Sequence, residues 1–311
     1  MTKIPKIAER VETCLRSTYY VDNARSGLRA ILNAAGSRFG NKVLLPAYIG
    51  WSEREGSGVM DPVKQAGFTP VFYRMTPQLE IDVDDLRFQI RNSSARIFVI
   101  VHYFGFPDSE YRTVCDLARN IGMLVIEDEA HAMFSDLIGG VCGRLGDFAI
   151  MSLHKLLPFK SGGLLLANSG ADRGIANEIR ALIPKWNIEN AFWEYDAFAI
   201  ARKRRSCATV LSEMLAGFDE IELLKPVVSG VVPQTLPIVL KRGHRDTLYY
   251  QLNAVGYGVV SLYHTMVSDL DEAHYPDAHW LGKRILNLPV HQDVDEGLLA
   301  EMVTALKASF R

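Results

Sequence analysis

Five continuous apolar runs, separated by stretches of helical spacing between Asn23 and Leu166, constrain the fold of this 311-residue chain most tightly. They are VLLPAY (43–48), TPVFY (69–73), RIFVIVHYF (96–104), MLVIED (123–128) and FAIMSL (148–153), rich in Val, Ile and aromatic residues. Their apolar residues run on rather than alternating with polar ones, as in strands buried on both faces. Between them, Arg25–Ala35, Val83–Ile90 and Tyr111–Ile121 carry apolar residues at helical spacing. Repeated strand–helix alternation predicts an α/β fold, a mostly parallel central sheet flanked by helices. Ligands of such sheets bind beyond the carboxyl ends of the strands. Ile179 to Leu215 reads as largely helical with a break at Pro184, and composition changes at KPVVSGVVPQ (225–234). Beyond it, LPIVL, RDTLYYQLNAVG, VVSLY and a segment from about Asp295 read as strand, helix, strand and helix. The expected organisation is a large domain over 1–220 and a small C-terminal α+β domain over 221–311.

Composition narrows the function classes. A net charge of −2, from 34 basic and 36 acidic residues, gives no global field for nucleic acid or anionic lipid. No apolar run reaches transmembrane length, and the start MTKIPKIAERVET lacks the pattern of a signal peptide. Cys14, Cys115, Cys142 and Cys207 are scattered with no CxxC pair, and the eight histidines show no HExxH or paired-ligand spacing. Reduced thiols in a cytoplasmic protein without a metal site are therefore expected. No G-x-G-x-x-G follows the first strand, which argues against dinucleotide chemistry.

The chemistry concentrates in residues 125–163, VIEDEAHA followed by GRLGDFAIMSLHK and a Gly-Gly pair. Asp128 ends one buried strand, and Lys155 follows the end of the next. Buried charges are costly unless used or paired. A carboxylate and an amine on neighbouring strand ends are what the pyridine nitrogen and aldehyde of pyridoxal 5'-phosphate (PLP) require. Burial would also lower the Lys155 pKa and so activate it. A plain salt bridge is the alternative; Glu127 or Glu129 would serve that equally well, and Lys160 is a weaker rival for the lysine. His131 is placed to hydrogen-bond the ring's phenolic oxygen. Asn23-Ala-Arg-Ser precedes the helical pattern Leu28, Ile31, Leu32, so Arg25 and Ser26 lie at a helix N-terminus able to bind phosphate. A simple helix cap is the commoner use of such residues. Ser152 offers another hydroxyl.

In order and spacing these elements resemble the DegT/DnrJ/StrS aminotransferases, PLP enzymes of fold type I. The resemblance rests on NARSGL, VLLPAY, GFTPVF, IDVDDL, VHYFGFPDSEYRTVCDLARNIGMLVIEDEAHA, GRLGDFAIMSLHK and the closing RILNLPVHQDVDEGLLAEMVTAL. It implies Lys155 as the Schiff-base lysine, Asp128 at the ring nitrogen, Ser152 with Arg25 and Ser26 at the phosphate, and Trp51 stacked on the ring, with Tyr48 as its rival. It further implies amination of a keto-sugar, mostly nucleotide-linked, with glutamate or glutamine as donor, and a homodimer. His131 stands where the family usually has glutamine, in a D-x-A-H pattern found in α-oxoamine synthases. The S-x-x-K spacing is two residues shorter than usual, and Arg25 replaces a threonine. A dehydratase or synthase reaction on the same fold, or a non-catalytic regulator, are the alternatives these departures leave open.

Overall fold

The computed structural model describes residues 16–183, 192 and 194–310; the expected break at Pro184 lies outside them. Strands β1 (Ser17–Val21), β2 (Lys42–Pro46), β3 (Thr69–Tyr73), β4 (Ile97–Val101), β5 (Leu124–Glu129), β6 (Phe148–Ser152) and β7 (Gly163–Ala167) form one sheet in the order β1-β7-β6-β5-β4-β2-β3. The run from β6 to β3 is parallel, as expected from the sequence, and β7 lies antiparallel to both β6 and β1. Every residue of β4, β5, β6 and β7 is buried, which is why these strands read as unbroken apolar runs. A second, antiparallel sheet has the order β10-β9-β8, from β8 (Ile221–Leu223), β9 (Thr235–Leu240) and β10 (Ile285–Pro289).

Helices α1 (Ala24–Ala35), α2 (Met60–Gln65), α3 (Val83–Asn92), α4 (Tyr111–Arg119), α5 (Met133–Leu137) and α6 (Arg173–Leu182) accompany the large sheet. In α1, Leu28, Ile31, Leu32 and Ala35 recur at helical spacing on one buried face. The core around the small sheet also takes in Cys207, Ala208, Leu211 and Leu215, from the inner end of the long helix Ala197–Leu215. Among the described residues, no helix is long and apolar enough to cross a membrane.

One expected strand is not formed. VVSLY (259–263) makes a single bridge, Val260 with Asn287, and the strand beside β9 is instead β10. Val259 is buried in the small core, but Ser261–His264 turn away toward the large sheet. There Trp51 N–H donates to Thr265 O (2.9 Å) and Val267 N–H donates to Ile49 O (3.0 Å), tying the loop to the chain beyond β2.

Two glycines seat α1 against the sheet. Gly162, at a φ of 120°, donates its N–H to Asp22 O, and a Cβ on Gly163 would stand 2.6 Å from Met151 O and 2.8 Å from Asn23 C. Those neighbours are backbone atoms and cannot swing aside. Gly163→Ala is therefore expected to cost about 1–3 kcal/mol, the range for overpacking, measured by urea unfolding; a stability equal to the parent would contradict the close approach.

Candidate active site

A cavity of about 220 Å³ opens beyond the carboxyl ends of β4, β5 and β6, between the N-terminus of α1 and the loop Ser261–His264. Arg25, Trp51, Asp128, His131, Ser152 and Lys155 all line it, from four separate chain segments. Tyr48, the rival to Trp51, is fully buried behind the wall, while Trp51 borders the opening. Lys160 does not line the cavity.

Lys155 and His131 define each other's protonation. His131 is buried, its Nδ1 receives the backbone N–H of Phe104 (3.3 Å), and its ring stacks on Phe104 with centroids 5.8 Å apart. An Nδ1 that accepts leaves the proton of a neutral imidazole on Nε2. Nε2 lies 2.8 Å from Lys155 Nζ, so the amine must accept, and only the uncharged amine has a lone pair to do so. The electrostatics run the same way. Burial lowers the Lys155 pKa, opposed by Asp128 and Glu55, while burial and then the nearby lysine push His131 well below the usual histidine range. Lys155 lines the cavity, with its amine against the buried His131 ring.

Asp128 is buried at the cavity floor, and its Oδ1 accepts the Ala130 N–H at 2.9 Å. Burial raises its pKa against the pull of that N–H, Lys155 and His102. Such a carboxyl ionises most readily beside a cation placed in the cavity. Ser152 is buried with its hydroxyl 3.1 Å from His154 Nδ1. Burial, followed by Lys155, lowers the His154 pKa. Arg25 reaches across the rim to the carbonyl of Glu55.

The phosphate expectation divides at Ser26. Its N–H donates to Asn23 Oδ1 (2.9 Å), and its hydroxyl accepts the Asn23 N–H (3.1 Å) and donates to Asn23 O (2.8 Å). The side chain thus closes a capping box and lines a different hollow, beside Arg29 and Asn33. Here both Ser26 donors are engaged by Asn23, and the residue does not line the cavity, contrary to the expected phosphate contact. Asn23, Ala24 and Arg25 do line the cavity, and the N–H groups of Ala24 and Arg25, first in the helix, have no intrahelical acceptor.

Sequence reasoning missed Tyr263, because VVSLY reads as a strand. Its ring packs on Tyr48, Tyr103, Phe104 and His131 with centroids 5.2–6.1 Å apart. A Cβ on Gly50 would come within 2.7 Å of that ring, so Gly50 is what lets Tyr263 close the wall.

The arrangement suits PLP. Asp128 would suit a cationic ring nitrogen, the Lys155 amine an aldehyde, the first turn of α1 with Ser152 an anion, and Trp51 offers a flat apolar wall. For the protein without cofactor, acylation of Lys155 should titrate below the ordinary lysine range, read by mass spectrometry against pH. Because Asp128 raises the Lys155 pKa, Asp128→Asn should move the midpoint lower still. A midpoint at the ordinary lysine value would contradict the hydrogen-bond assignment.

The model of the DegT/DnrJ/EryC1/StrS aminotransferase family matches residues 13–185. Among curated proteins, the chain is 32% identical over 281 residues to a dTDP-4-dehydro-2,3,6-trideoxy-D-glucose 4-aminotransferase of Saccharopolyspora spinosa, covering 75% of this chain and 70% of that one. It is 28% identical over 153 residues to a GDP-perosamine synthase of Escherichia coli O157:H7, covering 48% of this chain and 39% of that one. Among solved structures it superposes on DesV of S. venezuelae with a TM-score of 0.77 at 19% identity, over 94% of this chain and 84% of that one. For PseC of Helicobacter pylori the TM-score is 0.76 at 16% identity, over 94% and 86%.

Proposed function

The chain belongs to the DegT/DnrJ/EryC1/StrS aminotransferase family, whose members use PLP, and we propose that it transfers an amino group to a nucleotide-linked keto-sugar, with glutamate or glutamine as donor. The observation that carries the reading is the convergence of an uncharged Lys155 amine and the Asp128 carboxyl on one cavity. The printed activities of the sugar-nucleotide relatives support the substrate class.

When bound, PLP supplies an aldehyde carbon for amines and an electron-withdrawing ring. Each residue then has a definable task. Asp128 holds the ring nitrogen protonated, which buried pairing with a cation favours. Lys155 Nζ, once free, takes a proton from the nitrogen-bearing carbon of the donor and delivers one to the corresponding carbon of the acceptor. His131 Nε2 would orient that amine while it is free. The first turn of α1 and the Ser152 hydroxyl would hold the phosphate end, and Trp51 would lie against the ring. Polar groups at the rim, among them Arg25, Glu55, His154 and His264, suit a hydroxylated substrate. Family resemblance supports a homodimer in which a second subunit completes the rim, checked by light scattering.

The decisive measurement is the PLP absorbance of the loaded protein, first with glutamate or glutamine and then with dTDP- and GDP-linked 4-keto sugars. The amino donor should convert the cofactor to its amine form, and the matching keto-sugar should restore the original spectrum. Lys155→Ala should lose the visible lysine-linked band and slow turnover by at least about 100-fold, the lower range for a positioned acid–base. A cofactor that stays in its aldehyde state through every donor, or a Lys155→Ala enzyme of undiminished rate, would overturn the reading.

A further inference from the structure

On the reverse face of β5 from the cavity lies a second cluster that the proposed reaction does not use. A nitrogen of His102, a carboxylate oxygen of Glu129 and the thiol of Cys142 lie within 4.8 Å of one another, and all three residues are buried. They come from three neighbouring elements: the residue after β4, the end of β5, and the connection leading to β6. His102 Nδ1 has no hydrogen-bond partner, and the Glu129 carboxyl lies in hydrogen-bonding contact with Asp136 and with the Cys142 thiol. Native interiors rarely leave a buried imidazole nitrogen unpaired, and this one belongs to a residue clustered with a thiol and a carboxyl.

The surrounding shell is built as a metal site would be. His102 Nε2 is 2.9 Å from Glu127 Oε2, and Glu127 also accepts from Tyr111 Oη and from the N–H groups of Gly143, Leu145 and Gly146. A carboxylate surrounded by donors fixes the imidazole with Nε2 as donor, which leaves Nδ1 as the nitrogen available to a ligand. Carboxylate–imidazole–metal relays use this geometry to orient a histidine. Charge points the same way. Arg16 and Arg144 both bind Asp136, and the donors above satisfy Glu127. Ionised Glu129 and Cys142 would then add two negative charges beside Asp136 and Glu127, with Arg16, already paired to Asp136, as the nearby cation.

We propose that His102 Nδ1, a Glu129 carboxylate oxygen and Cys142 Sγ bind a divalent transition metal of the zinc type, with water or a fourth protein oxygen completing the shell. One imidazole nitrogen, one thiolate and one carboxylate form a borderline-soft donor set, which zinc accepts and magnesium or calcium does not favour. On binding, the thiol proton of Cys142 and the proton shared by Glu129 and Asp136 leave to solvent, and bonds from the metal to Sγ and to the carboxylate replace the Cys142–Glu129 contact. The metal would brace β4, β5 and the connection before β6 directly behind Asp128, whose carbonyl accepts the His102 N–H at 3.0 Å. Its role is structural, since the site faces away from the cavity.

The test uses PLP-loaded full-length protein, stripped with a chelator and titrated with Zn²⁺ alone. One equivalent per chain should bind and raise the melting temperature, and Cys142→Ser and Glu129→Gln should each lose both effects. X-ray absorption of the zinc-loaded parent protein needs no variant to fold. It should show a single sulfur ligand at about 2.3 Å with nitrogen and oxygen ligands at about 2.0–2.2 Å. A sulfur-free shell, no stoichiometric uptake, or uptake undiminished in a folded Cys142→Ser protein would overturn the proposal.

Discussion

Three consecutive carboxylates, Glu127, Asp128 and Glu129, end the central strand with all three side chains buried, and the molecule is organised around accommodating them. Burial of an uncompensated carboxylate costs several kcal/mol, so each needs its own environment. Alternation along the strand sends Asp128 to one face and its neighbours to the other. Burial alone would raise Glu127, but bonds from His102, Gly146 and Tyr111 bring its pKa below the ordinary value. The GRLGD motif follows from this demand. Gly143, Leu145 and Gly146 turn their N–H groups onto Glu127, and a Cβ on Gly146 would lie 2.9 Å from Glu127 Cγ. Asp147 then returns to the strand by accepting the Val125 N–H at 2.8 Å. The motif is the wrapping of a buried acid, and it delivers the chain to β6 in register, with Ser152 at the end facing the cavity.

The same alternation explains which parts of the site were legible in the sequence. Asp128, Glu127 and Glu129 are equivalent as letters, and only the two-residue period assigns one to the cavity. Strands β2, β4, β5 and β6 were readable because burial on both faces leaves an apolar run with little else to mean. Strand β7, GLLLA, is as apolar, but its antiparallel direction follows from the turn at Gly162 and Gly163, which composition does not encode. Ser26 shows the opposite limit. A serine in the first turn of a helix suits a cap and a phosphate equally well, and the cap prevailed because Asn23 is there to exchange bonds with it. The cluster of His102, Glu129 and Cys142 was invisible for another reason: its members are far apart in sequence and meet only through the packing of β4, β5 and the following connection.

The VHYFGFP stretch has a comparable origin. Phe104 adopts a left-handed φ of 57°, a conformation that costs a residue with a side chain of order 1–3 kcal/mol. It persists because its N–H donates to His131, its carbonyl accepts the Gln234 N–H (2.7 Å), and its ring stacks on the imidazole. Gly105 follows at a φ of 96°, where a Cβ would strike Val232 O at 2.6 Å. The Phe-Gly pair therefore joins the chain beyond β4 to the start of β9 and sets the His131 tautomer from behind.

Tyr263 is the second such joint, and it locates control of the cavity. It too holds a left-handed φ, 59°, and it is clamped between Gly50 and a cage of aromatic rings. Apolar character in VVSLY thus serves an aromatic wall rather than a strand, which is why the period misled. The bonds from Trp51 and Val267 seat this loop on the segment that carries Trp51. Two strained residues, Phe104 and Tyr263, pack against one histidine and against each other, and each is held by contacts to the small sheet or the loop beside it. The orientation of His131, and with it the charge state of Lys155, consequently depends on how the small core is seated against the large sheet. The reactive amine is set by an interface as well as by its own strand.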